Sequence, residues 1–222
     1  MKEKLLLSWS GGKDAALALY ELQRSEKHEV TGLLTTVTRE YDRISMHGVR
    51  RVLLERQAES VGLPLETVLI SKSNSEEEYE RAMRAVLEKQ LAAGVTAVAF
   101  GDILLEDVRR YREDKLSSIG IEAVFPLWDR DTTELAHSFL RLGFEAVVTC
   151  VDSQALEPAF VGRDFDLQFL TDLPPEVDPC GENGEFHTFV YAGPVLHDTI
   201  PLARGEVVLR DNRFYYCDLI PI

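Results

Sequence analysis

The chain has 222 residues, with 24 Lys and Arg against 38 Asp and Glu, so its formal net charge at pH 7 is −14. That length allows one large domain, or one domain with a small appendage. An acidic surface repels nucleic acid over most of its area, so RNA is not an expected partner. Three widely spaced cysteines without a C-x-x-C pair argue against a disulfide framework or a zinc site. The unpaired cysteines predict a reducing cytoplasm, and no membrane partner is expected because no apolar run reaches the ~18 residues of a membrane span.

The first predicted strand runs into a glycine turn and then a helix. An apolar run at residues 5–7 precedes the turn, an apolar-periodic segment at 15–22 follows it, and the turn consists of Ser10, Gly11, Gly12, Lys13 and Asp14. Adjacent glycines let backbone N–H groups approach an anion, and the new helix directs its positive dipole end at the same point. The Ser10 hydroxyl and the Lys13 cation add donors, and Asp14 fits here if it holds Mg²⁺ or caps the turn. The glycine turn (residues 10–14) therefore predicts a phosphate site in preference to an ordinary tight turn.

Strand-like and helix-like segments alternate up to about residue 150. In chain order we predict strands at 5–9, 30–36, 65–69, 97–100, 122–125 and 146–150, separated by helices at 13–24, 49–61, 75–93, 106–118 and 132–142. Repeated βα units of this length predict a mostly parallel sheet with helices on both faces. Ligands bind such a sheet at the carboxyl ends of its strands, so the loops after Trp9, Thr36 and Phe100 should converge on one site. Thr35 and Thr36 are therefore placed in the nucleotide site.

From about residue 151 the pattern changes to short elements separated by Gly and Pro clusters. The chain closes on two alternating segments around a turn at 210–213, which predicts a β-hairpin. We predict an α/β domain at residues 1–150 and a small C-terminal α+β subdomain at residues 151–222.

A polar loop joins the second predicted strand to the second helix. In it Met46 suits an adenine face, and His47 or Arg43 suits a phosphate. The alternative is an exposed, charged connection in which Ser45 or His47 lies near the helix cap. The residues favour neither interpretation.

The predicted strand at 97–100 ends at Gly101 and Asp102. A glycine at a strand end lets a ligand approach the backbone closely, so both residues are assigned to the nucleotide site. Arg109 and Arg112 lie one turn apart on the next helix. Acidic residues one turn away offer them surface ion pairs, so the role of the two arginines stays open.

A third polar constellation precedes an apolar strand at 189–191. Two glycines and an asparagine between residues 181 and 184 favour positive φ angles, and a tight loop would bring Glu182, Glu185 and His187 into a small volume. Two carboxylates and an imidazole could bind an ammonium or transfer a proton. Cys180 is most simply a small buried side chain, since no basic neighbour in the sequence argues for a reactive thiol.

Four motifs, in this order, resemble the diphthine–ammonia ligase family of PP-loop ATP pyrophosphatases. They are the glycine turn, Ser-Met-His-Gly at 45–48, Phe-Gly-Asp-Ile at 100–103 and Gly-Glu-Asn-Gly-Glu at 181–185. The resemblance covers nearly the whole chain and implies a Rossmann-like (HUP-type) ATP domain followed by a substrate-binding subdomain. It also implies that a carboxylate is adenylated by ATP, with release of pyrophosphate, and that ammonia then displaces AMP. The implied acceptor is diphthine on elongation factor 2 or a related small molecule.

Residues and resemblance together define a candidate site. Its catalytic residues are Lys13, Asp14, Glu182, Glu185 and His187, with Asp14 as the ligand of Mg²⁺. Its nucleotide contacts are Ser10, Gly11, Gly12, Lys13, Asp14, Thr35, Thr36, Met46, His47, Gly101 and Asp102. Asn183 stands where the family loop has another glycine; asparagine tolerates the left-handed conformation, so the loop can form while the substrate pocket differs.

Glu182 and Glu185 could capture ammonium and take its proton. No glutaminase domain fits in this length, so free ammonia is the expected nitrogen donor. Two alternatives stay open: an RNA-modifying enzyme of the thiolation or lysidine type, against which the acidic balance argues, and a non-catalytic nucleotide sensor. The sequence also leaves open whether the chain forms a homodimer.

Overall fold

The computed structural model describes residues 2–44, 47–71 and 75–222, except for the side chain of Glu76. In chain order its elements are β1 (Glu3–Ser8), α1 (Lys13–Gln23), β2 (His28–Thr38), β3 (Arg43–Ile44), α2 (Arg51–Val61), β4 (Leu65–Ile70), α3 (Glu76–Ala92), β5 (Ala97–Ala99), α4 (Glu106–Ser117), β6 (Glu122–Val124), α5 (Thr132–Arg141), β7 (Glu145–Asp152), a 3₁₀ turn (Pro158–Phe160), α6 (Leu167–Asp172), β8 (Phe186–Ala192), β9 (Leu202–Arg210) and β10 (Phe214–Pro221). The strands form two sheets.

The first sheet has six strands. Five are parallel in the order β4-β2-β1-β5-β6, and the short β3 pairs antiparallel with the end of β2. Winding proceeds outward from β1 to β4 on one side and from β5 to β6 on the other, which confirms the predicted Rossmann-like α/β sheet. The switch point lies between β1 and β5, and the glycine turn follows β1 at this place.

Alternate side chains of β1 enter two separate cores, as a strand covered on both faces requires. Leu5 and Leu7 join a large cluster that includes residues of α1 and α2 and extends into the second sheet. Leu6 joins a smaller cluster with Leu87 of α3 and Leu116 of α4. The predicted placement of helices on both faces is confirmed, and the first core also packs the two sheets together.

The second sheet is antiparallel in the order β8-β7-β10-β9. Its β9–β10 hairpin is the predicted one, and Asp211 and Asn212 in its turn have φ of 51° and 50°. The predicted strand at 146–150 is β7 of this sheet, so its expected place in the parallel βα region is wrong. A strand buried on both faces gives the same apolar run in either sheet. The predicted boundary at residue 150 falls inside β7.

Among the helices that the structure describes, none is long and apolar enough to cross a membrane. All three cysteines are buried with free thiols.

Candidate functional site

A cavity of about 590 Å³ lies at the carboxyl ends of β1, β2 and β5. Its walls come from the loops after these strands, from α3 and α4, and from the loop of residues 178–185 before β8, here named the glutamate loop. The predicted convergence of three strand-end loops is confirmed. The predicted site residues that line the cavity are Ser10, Lys13, Asp14, Thr35, Thr36, His47, Gly101, Asp102, Glu182 and His187. Met46 lies outside the described residues.

A side chain is strained at Gly11 of the glycine turn and tightly confined at Gly12. Gly11 has φ +78°, and a Cβ on it would lie 2.6 Å from the Gln57 Oε1 atom. A Cβ on Gly12 would lie 3.1 Å from both the His47 Cε1 atom and the Thr188 carbonyl oxygen. Gly12 is the N-cap of α1 and has no side chain to cap the helix, while the Thr188 hydroxyl accepts the Lys13 N–H at 3.0 Å. The backbone of two glycines thus leads into a helix N-terminus, where anions bind favourably.

Lys13 is buried, with 4% of its surface exposed. Its Nζ lies 2.9 Å from both carboxylate oxygens of Asp14 and donates to the Cys180 carbonyl oxygen. Burial lowers the Lys13 pKa, but Asp14 and other acidic neighbours outweigh it and leave the pKa above its ordinary value. Lys13 is therefore a cation held in a fixed position in this structure.

Asp14 lies where several carboxylates approach one another. Burial raises the Asp14 pKa, against the opposing effect of Lys13, and the charges of Asp178 and Asp102 raise it further. A cation at this point would be stabilised by the same charges. The described residues hold no group of three or more metal ligands. Mg²⁺ carried by a nucleotide needs one or two carboxylates, since phosphates and water complete its shell, so Asp14 fits such an ion.

The end of β5 lies directly against the first turn of α1. A Cβ on Gly101 would lie 2.9 Å from the Asp14 carbonyl carbon and 3.0 Å from the Ala15 nitrogen. Glycine is thus needed at residue 101 for backbone packing, and it brings Asp102 to the edge of the glycine turn.

The two arginines of α4 have different partners. Arg112 lines the cavity, pairs with Asp102 at 2.5 Å and stacks over the Phe100 ring at 4.3 Å. Arg109 pairs with Glu113 one turn away, at 2.7 Å. Arg112 therefore belongs to the site, whereas Arg109 forms the helix-surface ion pair that its acidic neighbours indicate.

Glu182 joins the glutamate loop to the loop after β5. Its Oε1 accepts the N–H groups of Ile103 at 2.8 Å and Leu104 at 2.9 Å. Burial raises the Glu182 pKa, and these two hydrogen bonds act in the opposite direction. The side chain both lines the cavity and holds one of its walls.

Glu185 is buried and binds within the glutamate loop. It accepts the N–H of Asp178 at 3.1 Å, the N–H of Asn183 at 2.9 Å and the Asn183 side-chain amide at 3.0 Å. Gly181 and Gly184 have positive φ, as the sequence predicts, but Asn183 does not. Asparagine here supplies Glu185 with a donor that glycine lacks. In the described chain Glu185 is not part of the cavity lining, so these contacts give it a loop-holding role.

Two imidazoles meet in the cavity, one from each half of the chain. The ring centres of His47 and His187 are 4.5 Å apart, and His47 Nδ1 lies 3.4 Å from the Thr188 carbonyl oxygen. Burial lowers the pKa of His187 to about 4 and that of His47 well below its ordinary value. Both rings are neutral at pH 7. Because the Thr188 carbonyl oxygen can only accept, the single proton of neutral His47 lies on Nδ1 and its Nε2 is an acceptor, so His47 offers a phosphate neither an N–H donor nor a positive charge.

The segment that carries His47 is anchored to the second sheet. Arg43 donates to the Gly48 carbonyl oxygen at 2.7 Å and to Asp218 at 2.9 Å, and Arg50 binds the same carboxylate at 2.6 Å. The sequence suggested Arg43 as a phosphate ligand, but its guanidinium is engaged in this cluster. The described residues on either side of 45–46 are therefore docked on the second sheet, whereas residues 39–42 of the loop are exposed.

The cavity continues into an apolar groove between α3 and α4, which sequence reasoning missed. Strand residues Ser8, Leu34 and Val98 line it from the sheet, and Met83, Leu87, Leu116 and Ile119 line it from the helices. Tyr79 and Tyr111 lie on the two helices that border it. The Thr35 hydroxyl, in the same cavity, is buried and has no hydrogen-bond partner among the described residues. A polar ligand atom would satisfy it.

Comparison with known proteins gives one consistent result. A family model described as the diphthamide synthase N-terminal domain matches residues 1–123, and one described as the diphthamide synthase C-terminal domain matches residues 131–218. The second match begins ahead of β7, in agreement with the place of β7 in the second sheet.

Three similar proteins are diphthine–ammonia ligases. The chain is 26% identical over 226 residues to that of Schizosaccharomyces pombe, which covers 92% of the chain and 37% of that protein. It is 25% identical over 228 residues to that of Rattus norvegicus, covering 90% of the chain and 83% of that protein. It is 25% identical over 229 residues to that of Danio rerio, covering 91% and 88%. The chain thus spans well under half of the fission yeast relative.

Proposed function

Because the chain belongs to the diphthamide synthase family, we propose that it is an ATP-dependent ligase that adenylates a carboxylate and then replaces AMP with ammonia. The observation that carries the proposal is the glycine turn at the start of α1, where the N-cap residue is a glycine, with Lys13 and Asp14 in the cavity. The names of the relatives support ammonia as the second substrate and diphthine as the acceptor. A related small carboxylate is the alternative acceptor.

ATP would lie across the cavity with its phosphates at the glycine turn. Gly12 N–H and Lys13 supply donors there, and Asp14 would hold Mg²⁺. The adenine would enter the groove between α3 and α4, where apolar side chains cover its faces and the unpartnered Thr35 hydroxyl lies in the same cavity. Residues 1–150, apart from β7, would then bind ATP, and the second sheet with the glutamate loop would bind the acceptor.

In the first step a carboxylate oxygen of the acceptor attacks the α-phosphorus, and the bond from that phosphorus to the bridging oxygen of pyrophosphate breaks. Negative charge grows on the α-phosphate and on the leaving pyrophosphate. The glycine turn and Lys13 are already in place before reaction and would stabilise this charge, and Asp14 would hold Mg²⁺, which would supply further positive charge there.

In the second step ammonia attacks the acyl carbon, AMP leaves, and the nitrogen loses a proton. His187 is neutral at pH 7 because burial lowers its pKa, so its ring can accept a hydrogen bond from ammonia and then the proton. The Glu182 carboxylate lines the same cavity and favours a nitrogen that is becoming positive. Glu185 supports Glu182 by fixing the glutamate loop.

The test is product analysis by phosphorus NMR with ATP, Mg²⁺, ammonium and diphthine-bearing elongation factor 2. We expect AMP and pyrophosphate in equal amounts, dependent on the acceptor, and their loss in Asp14→Asn. ADP and orthophosphate as the products would contradict the proposal. ATP binding without any cleavage, with this acceptor and with small carboxylates, would indicate a nucleotide sensor instead.

A further inference from the structure

Gln57 is a polar residue of α2 with 0% of its surface exposed. It lies beneath the glycine turn and contacts two separate parts of the chain, residues 9–11 and the strand β8. Its Nε2 donates to the Gly11 carbonyl oxygen at 3.0 Å and to the Val190 carbonyl oxygen at 2.5 Å. Its Oε1 accepts from the Trp9 indole at 3.0 Å. Every polar atom of this buried amide is thus hydrogen-bonded.

Trp9 determines which way the amide of Gln57 points. The indole N–H can only donate, so the atom facing it must be the carbonyl oxygen of the glutamine side chain. The amide nitrogen therefore faces Gly11 and Val190. Since both of those groups are carbonyl oxygens, they cannot be satisfied by the reversed amide.

The Gly11 carbonyl group is held from two directions, by Gln57 and by the Val190 N–H at 2.9 Å. In a trans peptide the C=O and the following N–H point in opposite directions. Fixing the Gly11 carbonyl toward Gln57 therefore turns the Gly12 N–H away from it, toward the Ser10 hydroxyl at 3.3 Å. This is the side on which Ser10 lines the cavity.

We propose that Gln57 is a positioning residue, which sets the direction in which the glycine turn presents its backbone N–H groups to phosphate. The inference rests on the proposed function. Two adjacent glycines have little intrinsic preference between peptide orientations, so an external contact must choose one. The reversed peptide would present a carbonyl oxygen to the phosphate in place of a donor.

The experiment compares two buried polar residues of the same helix. Gln57→Met keeps the side-chain volume and removes the donor to Gly11. Ser60→Ala is the matched control, because Ser60 is also buried and joins α2 to Asp198 through hydrogen bonds of 2.7 and 2.8 Å without touching the glycine turn. Calorimetry with Mg-ATP gives the dissociation constant, and thermal unfolding gives the melting temperature of each variant.

We expect Gln57→Met to weaken Mg-ATP binding by about tenfold to a hundredfold, and Ser60→Ala to stay within about twofold of wild type whatever its melting temperature. Trp9→Phe removes the indole N–H and so allows the Gln57 side-chain amide to reverse. It should weaken Mg-ATP binding by a smaller factor, and it replaces Gln57→Met in the test if that variant does not fold. Equal affinity in wild type, Gln57→Met and Trp9→Phe would overturn the inference alone. Equal losses of Mg-ATP affinity in Gln57→Met and Ser60→Ala would show that Gln57 only stabilises the structure and does not position the glycine turn. No binding by wild type would overturn the proposed function together with this inference.

Discussion

At the glycine turn the two sheets hold each other through buried hydrogen bonds, whereas the groove between α3 and α4 is bridged near the surface. Lys13 N–H donates to the Thr188 hydroxyl at 3.0 Å and Val190 N–H donates to the Gly11 carbonyl oxygen at 2.9 Å. Across the groove, Lys115 pairs with Glu80, and Arg84 reaches the Ser118 hydroxyl at 3.3 Å. Buried contacts fix a geometry, while exposed pairs contribute little and exchange readily.

Under the proposed function, the difference suits the glycine turn to the phosphates and the groove to the base. Phosphoryl chemistry gains from donors that need no rearrangement, so a rigid phosphate end suits the reaction. A flat base is held by apolar contact and tolerates walls that adjust. Substitutions at the glycine turn should therefore affect turnover most, and substitutions in the groove should affect nucleotide affinity.

Replacing Lys13 should have the largest effect. Lys13→Met removes the buried cation of the phosphate end, and we expect AMP formation to fall by about a hundredfold or more, as for loss of a preorganised donor in a transition state. Lys27→Met, on the exposed turn after α1, is the control. Lys13→Met leaves the Asp14 carboxylate without its partner and can lower stability. The melting temperature of the variant shows whether a loss of turnover is due to unfolding. Wild-type turnover in folded Lys13→Met would contradict the assignment.

The glycine turn could be predicted because its signal is local: an apolar strand, two glycines and an amphipathic helix follow one another within a few residues. The parallel sheet was predictable for the same reason, from repeated βα units. Gln57 could not be identified, since a glutamine in an amphipathic helix normally lies on the polar face. Its partners Gly11 and Val190 come from distant parts of the chain.

Other features of the fold could not be predicted because they depend on contacts between distant segments, which the sequence of one segment does not specify. β7 gives the same apolar run whichever sheet it joins. The helical spacing of Met83 and Leu87 predicts that they face the core, and they do. The spacing does not show that part of this core is left open as a groove. Glu185 and Glu182 look alike in sequence, and it is the fold that directs one into the loop and the other to the cavity wall.

Filling the groove should weaken nucleotide binding. Val98→Phe adds a ring at the sheet side of the groove, and we expect the dissociation constant for Mg-ATP to rise by roughly tenfold, equivalent to about 1.4 kcal/mol. Val68→Phe is the matched control, because Val68 is buried in the same hydrophobic cluster but does not line the cavity. Both substitutions overpack the core and should cost about 1–3 kcal/mol of folding stability.

Comparison of these two variants tests whether the adenine binds in the groove or elsewhere in the cavity. Equal ATP affinity in Val98→Phe and Val68→Phe would place the adenine elsewhere in the cavity. A loss of acceptor-dependent turnover at unchanged ATP affinity would instead assign the groove to the acceptor.

The part of the cavity near the glycine turn should also make the stability of the protein depend on pH. Burial lowers the pKa of His187 to about 4, whereas an unfolded histidine titrates near about 6.5. Between those values the unfolded chain binds a proton that the folded chain does not, so the free energy of unfolding falls as pH decreases through this range. The contribution is fully present above about pH 6.5. Denaturant unfolding of wild type and His187→Asn across this range measures it.

We expect the loss of stability toward low pH to be smaller in His187→Asn than in wild type. His137→Asn, on α5 and outside the cavity lining, should leave the wild-type slope unchanged. Identical slopes in wild type and His187→Asn would show that the buried imidazole does not contribute.

The two arginines of α4 provide the smallest and most direct comparison, since they differ by one helical turn and by whether they reach the cavity. Arg112→Ala removes the partner of Asp102 at the junction of the glycine turn and the groove, and we expect Mg-ATP affinity to fall by about three- to tenfold. Arg109→Ala removes an exposed i,i+4 pair and the contacts of the guanidinium with the Phe125 and Trp128 rings, so the free energy of unfolding should fall by about 1 kcal/mol and affinity should not change. Calorimetry and denaturant unfolding on both variants give the two quantities. If Arg109→Ala weakens ATP binding as much as Arg112→Ala does, the effect comes from the positive charge of α4 acting at a distance. The contact of Arg112 with Asp102 is then not needed for ATP binding.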